Sequence, residues 1–270
     1  MEPEIIKYPR TNHIEGSRFQ PGDEDLDSVP FREIADRYLV VEEKVDGANC
    51  GISFTPRGEL LLQSRGHFLA GGAREKHFAL FKSWSQTFLN ELKEILQDRF
   101  IMYGEWLYAK HTIFYNYLPH YFLEFDIYDK VKKDFLSTEV RRNLLEKFPF
   151  LTMVPVLFEG KIKSLHELRS LIGQSHFIKG DHLDELREKS RELGLDEDRV
   201  IRETEPNNYM EGLYIKVEKD GMVKERYKFV RAQFLSSVLE SENHWLQRPV
   251  VPNQLIEGTD LFTFQCRKIQ

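Results

Sequence analysis

The sequence predicts an α+β fold in which antiparallel sheets are flanked by helices and interrupted by a helical insertion. Three observations support this fold class. Short runs of alternating, β-branched and aromatic residues recur with brief turns between them, which is typical of antiparallel strands. One longer run, 74–97, has apolar residues at helical spacing. The stretch 137–199 is richer in charge and also helical in its pattern.

The composition is that of a globular chain with a substantial core. The 270 residues include 41% hydrophobic and 13% aromatic residues, enough for one large domain or two small ones. No apolar run approaches the roughly 18 residues that a membrane span needs. The first four residues, 1–4, are acidic and do not begin an apolar signal segment. We therefore expect a soluble, cytoplasmic protein that does not contact a membrane.

Charge and cysteine content narrow the class of partner. The net charge of −6 argues mildly against nucleic acid. It does not exclude it, because a local basic site with a divalent metal attracts phosphate over about one Debye length, ~8 Å. The two cysteines, Cys50 and Cys266, lie far apart and outside any C-x-x-C pattern. The spacing therefore suggests neither a zinc site nor a redox motif.

The predicted strands fall into two groups, one before and one after the middle of the chain. The opening segment, 1–35, is irregular and rich in proline, glycine and acidic residues, so we expect a surface arm. Strands are predicted at 38–45, 50–54, 59–64, 100–106, 121–128, 211–218 and 222–229. Asp220-Gly221 between the last two strands predicts a tight hairpin.

Helices are predicted in four places. The run 74–97 indicates one long helix, and 232–239 indicates another near the end of the chain. Between them, Ser164 followed by Glu167 predicts a capped helix, and Asp181–Leu193 predicts a charged one. These last two define a helical insertion over 137–200 within a larger domain spanning 36–231. The remaining residues, 232–270, form a short C-terminal extension.

The first motif that could carry out chemistry is Lys44-Val45-Asp46-Gly47, at the junction of two predicted strands. A lysine there can point into a cleft, and a glycine allows backbone and ligand to approach closely. The string alone is also common at turns. Five further motifs follow in order: Ser64-Arg65-Gly66, Tyr103-Gly104-Glu105-Trp106, Phe125-Asp126-Ile127, Glu211-Gly212-Leu213-Tyr214-Ile215-Lys216 and Arg226-Tyr227-Lys228.

The alternation of side chains along the last two strands indicates which of their basic residues lie on the same face. Side chains two apart share a face, so Arg226 and Lys228 point the same way, and Lys216 can join them across the hairpin. Each motif is weak by itself, whereas the ordered set is specific.

That ordered set resembles the covalent nucleotidyltransferase superfamily of polynucleotide ligases and capping enzymes. More narrowly, it is similar to the ATP-dependent RNA ligases, including the phage and trypanosome RNA-editing ligases. The resemblance covers about 40–230. It implies an ATP-grasp-like ligase adenylation domain, with ATP and Mg²⁺ or Mn²⁺ as cofactors. It also implies RNA with 5′-phosphate and 3′-OH ends as substrate, and an end-healing kinase or phosphatase as a possible partner.

The resemblance implies a three-step reaction and assigns its catalytic residues. Lys44 attacks the α-phosphate of ATP, AMP passes to an RNA 5′-phosphate, and a 3′-OH then displaces AMP. Lys216 and Lys228 are expected to bind the α-phosphate. Glu211 is expected to hold the metal, with Asn49 assisting through a water molecule.

The remaining implied roles concern the nucleotide. Glu105 is expected to contact the ribose, Phe125 to stack on adenine, and Glu43 to contact adenine. Arg65 is expected near the AMP and the RNA ends. The nucleotide-binding set is completed by Asp46 and Gly47 of the first motif. One departure from the family pattern is Arg226, where a lysine is usual.

To attack the α-phosphate, Lys44 must lose its proton, although the reference pKa of lysine is about 10.4. Nearby cations and partial burial lower that pKa. Arg65, Lys216, Arg226 and Lys228 are the candidate cations. Glu43 and Asp46 act in the opposite direction, and we expect metal or hydrogen bonds to offset them.

Other functions fit parts of the pattern. A DNA ligase and a GTP-using capping enzyme use the same first motif. Only about 40 residues follow Val230, which is short for the oligonucleotide-binding barrel that those enzymes append. An inactive nucleotide- or RNA-binding module is a third possibility. Against it stands the joint presence of Lys44, Glu105 and Glu211 with the basic pair, because buried unpaired charge is costly.

Overall fold

The computed structural model describes residues 4–234 and 250–264. The strands in these residues are β1 (Asn12–Ile14), β2 (Ser28–Val29), β3 (Tyr38–Lys44), β4 (Ala48–Phe54), β5 (Leu60–Ser64), β6 (Phe100–Trp106), β7 (Phe122–Asp129), β8 (Asp134–Leu136), β9 (Thr152–Met153), β10 (Val156–Lys161), β11 (Gly212–Lys219) and β12 (Met222–Val230). The α-helices are α1 (Ala79–Thr87), α2 (Leu89–Leu96), α3 (Thr138–Leu145), α4 (Leu165–Ser170), α5 (His182–Glu192) and α6 (Glu197–Arg202). Two short 3₁₀ helices lie at Phe31–Glu33 and Ala73–Phe78.

The strands form a mainly antiparallel sheet in the order β10-β3-β11-β12-β8-β7-β6-β4-β5. The short strand β8 joins its two halves, pairing with β12 on one side and β7 on the other. Each half covers its own group of buried apolar residues. Leu213 and Ile215 lie in one group, and Trp84 and Trp106 lie in the other. The chain crosses from one half to the other between β3 and β4, at 45–47.

The predicted strands and the hairpin are confirmed. Each predicted strand lies within two residues of an observed one at both ends. At the hairpin, Asp220 and Gly221 have φ of 54° and 73°, the left-handed pair that a tight two-residue turn between twisted strands requires. The predicted helix cap is also present, since Ser164 Oγ accepts the N–H of Glu167 at 3.1 Å.

The long helix predicted at 74–97 is wrong in its continuity. The segment is a 3₁₀ turn followed by α1 and α2, which are separated at Phe88 (φ −100°, ψ 29°). The ring of Phe88 stacks on Phe150 with centroids 4.3 Å apart. Packing of this ring into the aromatic core accompanies the break, and periodicity along the sequence does not reveal it.

The insertion at 137–200 is not wholly helical. It contains α3 to α5 and the start of α6, but β9 and β10 also lie within it, and β10 pairs antiparallel with β3 at the edge of the sheet. The helix predicted at 232–239 lies outside the described residues beyond Phe234. No helix in the described residues is long and apolar enough to cross a membrane.

The segment 1–35 is not a surface arm. Strand β1 pairs in parallel with β12, with Asn12 opposite Tyr227 and His13 opposite Lys228. His13 and Ile14 are fully buried. The segment is thus part of the sheet and lies beside the strand of the last basic motif.

Candidate active site

A cavity of about 520 Å³ lies where the two halves of the sheet meet. Residues from both halves and from the N-terminal segment line it. Those from the predicted motifs are Glu43, Lys44, Asp46, Gly47, Asn49, Arg65, Glu105, Phe125, Glu211 and Lys228. The structure therefore brings together ten of the eleven candidate residues, and the exception is Lys216.

Lys44 ends β3 and points at a carboxylate. Its Nζ lies 2.7 Å from Glu211 Oε2, and the side chain of Lys44 is 25% exposed against 6% for Glu211. Burial alone would lower the pKa of Lys44. The charges of Glu211, Glu105 and Asp46 outweigh that effect and raise it. The amine is therefore held protonated in this state, whereas the sequence predicted that nearby cations and partial burial would lower its pKa.

Two carboxyls near Lys44, the buried Glu211 and the half-buried Glu105, hold their protons unusually tightly. Burial raises the pKa of Glu105 to about 8, against the opposing charge of Lys44. Burial likewise raises the pKa of Glu211 to about 7. Asp46 and Glu211 raise the pKa of Glu105 further, because like charges resist joint ionisation. The cavity wall thus has more acid groups than its cations neutralise.

The turn after Lys44 is fixed by hydrogen bonds. Asp46 Oδ2 accepts the backbone N–H groups of Thr112 at 2.6 Å and Ile113 at 2.9 Å. The N–H of Asp46 donates to the Tyr115 hydroxyl at 2.9 Å. Gly47 donates its N–H to Glu105 Oε1 at 3.1 Å. These hydrogen bonds fix the backbone after Lys44 and so the direction in which the Lys44 side chain points.

Glu43 points to the opposite face of β3 from Lys44, as alternation requires. Its carboxylate accepts hydrogen bonds from Ser175 Oγ at 2.6 Å and from the backbone N–H of His176 at 3.2 Å. His176 Nδ1 lies 2.6 Å from the same carboxylate. The side chain of Glu43 is thus engaged by residues of the insertion.

Lys216 is buried outside the cavity. Its side chain is 0% exposed, and Nζ lies 2.8 Å from Glu42 Oε2 and 3.2 Å from Asp126 Oδ1. It also donates to the carbonyl oxygen of Phe125. A phosphate contact would require these acceptors to be released. The geometry favours a structural role for Lys216 over the predicted α-phosphate contact.

The last basic motif divides between the core and the cavity. Arg226 stacks on the ring of Phe135 at 3.6 Å and lies 3.3 Å from Asp126. Lys228 lines the cavity, and its Nζ lies 2.9 and 2.8 Å from the two carboxylate oxygens of Asp23. Of the three predicted basic residues on β11 and β12, Lys228 alone faces the cavity.

Sequence reasoning missed several cavity residues. Glu42 lies two residues before Lys44 on the same face of β3. Strand alternation therefore predicts that its side chain lies on the cavity side. Tyr8, Thr11 and Asp23 come from the segment taken for a surface arm. No local pattern marks them, because their position depends on the long-range pairing of β1 with β12.

The family model described as RNA ligase matches residues 37–230, most of the chain. The chain belongs to the RNA ligase family. No curated protein is significantly similar to it.

This RNA ligase family member is similar in fold to Naegleria gruberi RNA ligase. The structure of that ligase with pyrophosphate is 19% identical with a TM-score of 0.52, covering 84% of this chain and 56% of that one. A lysine-to-alanine variant with ATP and manganese is 17% identical with a TM-score of 0.51, covering 91% and 58%. This chain therefore spans less than two thirds of the length of those ligases. At this identity the likeness shows the α+β fold alone.

The site of this RNA ligase family member has donors that fit a divalent metal. Within 4–234 and 250–264, no group of three His, Cys, Asp or Glu side chains is placed to hold an ion by itself. Mg²⁺ is usually bound by one or two carboxylates together with waters and phosphate oxygens. Glu211 and Glu105 offer that limited set at the cavity wall. Their raised pKa values mark a surplus of acid groups that a cation would relieve.

Proposed function

We propose that the chain is an ATP-dependent RNA ligase that forms a covalent lysyl-AMP on Lys44. It then transfers AMP to an RNA 5′-phosphate and joins that end to an RNA 3′-OH. The observation on which this proposal depends is the position of Lys44, paired with the buried carboxylate of Glu211 in a cavity that Glu105 and Lys228 also line. Family membership supports it, and so does the binding of ATP and manganese by the similar Naegleria ligase.

In the first step the Lys44 amine attacks the α-phosphorus of ATP, a P–N bond forms, and the P–O bond to pyrophosphate breaks. Lys44 must first give up a proton, which Glu211 at 2.7 Å is placed to receive. A bound divalent ion supplies positive charge that offsets the carboxylates and stabilises the phosphoryl group during transfer. Glu211 and Glu105 are the residues that would hold it, with Asn49 acting through water.

The other cavity residues are assigned to binding. Lys228 places an ammonium beside the α-phosphate, where charge stabilisation matters most. Phe125 presents an aromatic ring for adenine, and Glu105 presents its carboxyl for the ribose. Arg65 is exposed at the cavity edge, where it is available to the departing phosphates or to an RNA end.

In the second step an oxygen of the RNA 5′-phosphate attacks the lysyl-AMP phosphorus, the P–N bond breaks, and the Lys44 amine leaves with a proton returned from Glu211. In the third, the 3′-OH attacks the activated 5′-phosphate and gives up its proton to solvent, the P–O bond to AMP breaks, and AMP departs with the electron pair. The substrate must therefore present a 5′-phosphate and a 3′-OH, so we also propose that an end-healing kinase or phosphatase prepares broken ends.

The test is intact mass measurement after incubation with ATP and Mg²⁺. We expect a mass increase of one AMP in the wild type and none in Lys44→Ala. Lys224→Ala is the control, because Lys224 lies on β12, is 38% exposed and pairs with Asp134 away from the cavity. An adduct of equal yield in Lys44→Ala contradicts the assignment of the nucleophile.

A second measurement identifies the substrates. ATP and GTP are compared in adduct formation, and nicked duplexes with RNA or DNA at the 3′-OH are compared in sealing. We expect ATP and RNA to be preferred. A preference for GTP would indicate a capping enzyme, and efficient sealing of DNA would indicate a DNA ligase.

A further inference from the structure

The N-terminal segment places a carboxylate on the cavity lysine. Both Asp23 oxygens lie within 2.9 Å of Lys228 Nζ, and the two side chains are 12% and 14% exposed. Both residues line the cavity. The Asp23–Lys228 ion pair is therefore a largely desolvated contact inside the site, and the two residues are 205 positions apart in sequence.

Asp23 is itself held from behind. His13 Nε2 lies 3.0 Å from Asp23 Oδ2, and His13 Nδ1 lies 2.6 Å from Ser17 Oγ. Ser17 Oγ also accepts the N–H of Val230 at 2.9 Å. The Ser17 hydroxyl proton is then directed at Nδ1, so that the Nε2–H of His13 donates to Asp23. Because His13 is fully buried, this anchor fixes the carboxylate rather than letting it swing.

We propose that Asp23 is a positioning residue for adenylation, which fixes the Lys228 ammonium at the cavity wall so that a nucleotide phosphate meets a cation already in place. This inference rests on the proposed function. An ammonium has three N–H groups. The carboxylate approaches from the anchored side, and the part of the ammonium that faces the cavity remains for the phosphate.

The surrounding charges explain why Lys228 needs this partner. Burial lowers the pKa of Lys228. Asp23 opposes that shift, Lys44 strengthens it, and Glu211 opposes it at longer range. Burial alone would raise the pKa of Asp23, but hydrogen bonds from His13 and Lys228 lower it well below its usual range. Asp23 therefore stays ionised and helps to keep Lys228 charged.

A further charge near this pair is that of Arg10, whose guanidinium lies 3.6 Å from Asp23 Oδ1 and 2.5 Å from the more exposed Asp25. Arg10 belongs to the same N-terminal segment and approaches Asp23 from the solvent side, since it is 41% exposed. It cannot replace Asp23 as a partner of Lys228, because both are cations.

The test compares Asp23→Asn with the wild type in adduct formation across ATP concentration and pH. We expect kcat/KM to fall about tenfold or more in Asp23→Asn, because the Lys228 ammonium loses the contact that fixes it at the cavity wall. The loss should grow as the pH is raised, because Asp23 also opposes the lowering of the Lys228 pKa by burial and its removal favours the uncharged amine. Asp25→Asn is the matched control, since Asp25 is 67% exposed and pairs with Arg10 instead.

A second readout does not require catalysis. Calorimetric titration with ATP in the absence of metal should show weaker binding by about tenfold in Asp23→Asn and unchanged binding in Asp25→Asn. If the wild type binds ATP in this Asp23-dependent way but forms no adduct, the positioning role stands and the proposed ligase function fails. If adducts form normally in Asp23→Asn, the positioning role fails and the ligase function stands.

Two other results overturn the proposal. Tighter ATP binding in Asp23→Asn would mean that the carboxylate competes with phosphate for Lys228. A loss that is the same at every pH would mean that the pair has only a structural role.

If Asp23→Asn does not fold, His13→Gln tests the same contact by removing its anchor. Its expected loss of ATP affinity is smaller, about threefold, and unchanged affinity there would contradict the positioning role.

Discussion

At the scale of single residues, the turn after the nucleophile shows why a short motif needs its glycine. A Cβ added to Gly47 would lie 2.6 Å from Leu107 Cδ2 and 2.9 Å from the carbonyl oxygen of Trp106. The backbone oxygen cannot move without disturbing the end of β6. The close approach of β4 to β6 therefore excludes any side chain at this position, whatever its chemistry.

We expect Gly47→Ala to destabilise the fold by roughly 1–3 kcal/mol, the usual cost of forcing extra volume into a packed site. It should also abolish adduct formation, because Lys44 and Asp46 come directly before the displaced residue. Urea unfolding and intact mass measure the two effects.

Gly66→Ala is the control for this substitution. Gly66 follows Arg65 on the other side of the cavity, and an added Cβ there meets nothing within 4 Å. We expect its stability and adduct yield to match the wild type. Equal destabilisation by the two substitutions would show that the contact of Gly47 with Leu107 and Trp106 is not the cause.

At the scale of elements, α3 contributes one buried arginine to the sheet beneath the cavity. Arg141 is 0% exposed, and its guanidinium lies 2.7 Å from Glu42 and 2.9 Å from Glu124. Glu42 also holds Lys216. Burial raises the pKa of Glu124 to about 7 even with Arg141 beside it. This network connects β3, β7 and β11 to the helix.

We expect Arg141→Met to destabilise the protein by about 3–5 kcal/mol, because it leaves buried carboxylates without their partner. The adjacent Arg142→Met is the control. Arg142 is 44% exposed and pairs with Glu159 at 2.5 Å, so its loss should cost less than about 1 kcal/mol. Similar costs in urea unfolding would mean that the buried network contributes no more than a surface ion pair.

The elements also show what the sequence can predict. Strands such as β6 and the hairpin of β11 and β12 depend on local alternation and on Asp220-Gly221, so pattern analysis finds them. Strand β10 was missed because it lies in a charged stretch dominated by helices. Strand β1 was missed because its pairing with β12 joins positions over 200 residues apart. The same long-range contact places Asp23 in the cavity, and so that residue was missed too.

Motif analysis found the site residues whose position depends on the order of the motifs and on which face of a strand a residue occupies. It failed where the position of a side chain depends on what packs against its strand. Lys44, Glu105 and Glu211 share a cavity because each lies at or beside a strand end near the junction of the two halves. Lys216 and Lys228 looked equivalent in sequence. They differ because Lys216 of β11 is enclosed by Glu42, Asp126 and the carbonyl oxygen of Phe125, whereas Lys228 of β12 lies beside the N-terminal segment.

At the scale of the whole molecule, the cavity is the junction of the two halves of the sheet, so a ligand bound there touches both. Glu211 belongs to the half containing β11, and Glu105 belongs to the half containing β6. Both carboxyls have raised pKa values, about 7 and about 8, because of burial. Their ordinary values are near 4.3. Ionising them in the folded protein therefore costs stability as pH rises from the ordinary value to the folded one.

A divalent ion reverses that cost, because it binds the ionised carboxylates of the folded state. Below about pH 6 both groups are protonated and the ion must displace protons, whereas near pH 8.5 they are largely ionised. We expect Mn²⁺ to raise the thermal midpoint by a few degrees near pH 8.5, since saturation at about 100 times Kd contributes about 2.7 kcal/mol. The shift should nearly vanish near pH 6.

The double variant Glu105→Gln, Glu211→Gln should lose the Mn²⁺ shift at both pH values. Glu91→Gln is a control for charge, because Glu91 lies on α2 outside the cavity lining. A shift of equal size at both pH values, or one that persists in the double variant, would place the metal elsewhere. Because the two carboxyls come from different halves, a shift that requires both would mean that the ion stabilises the junction itself, where Lys44 must be aligned with the nucleotide.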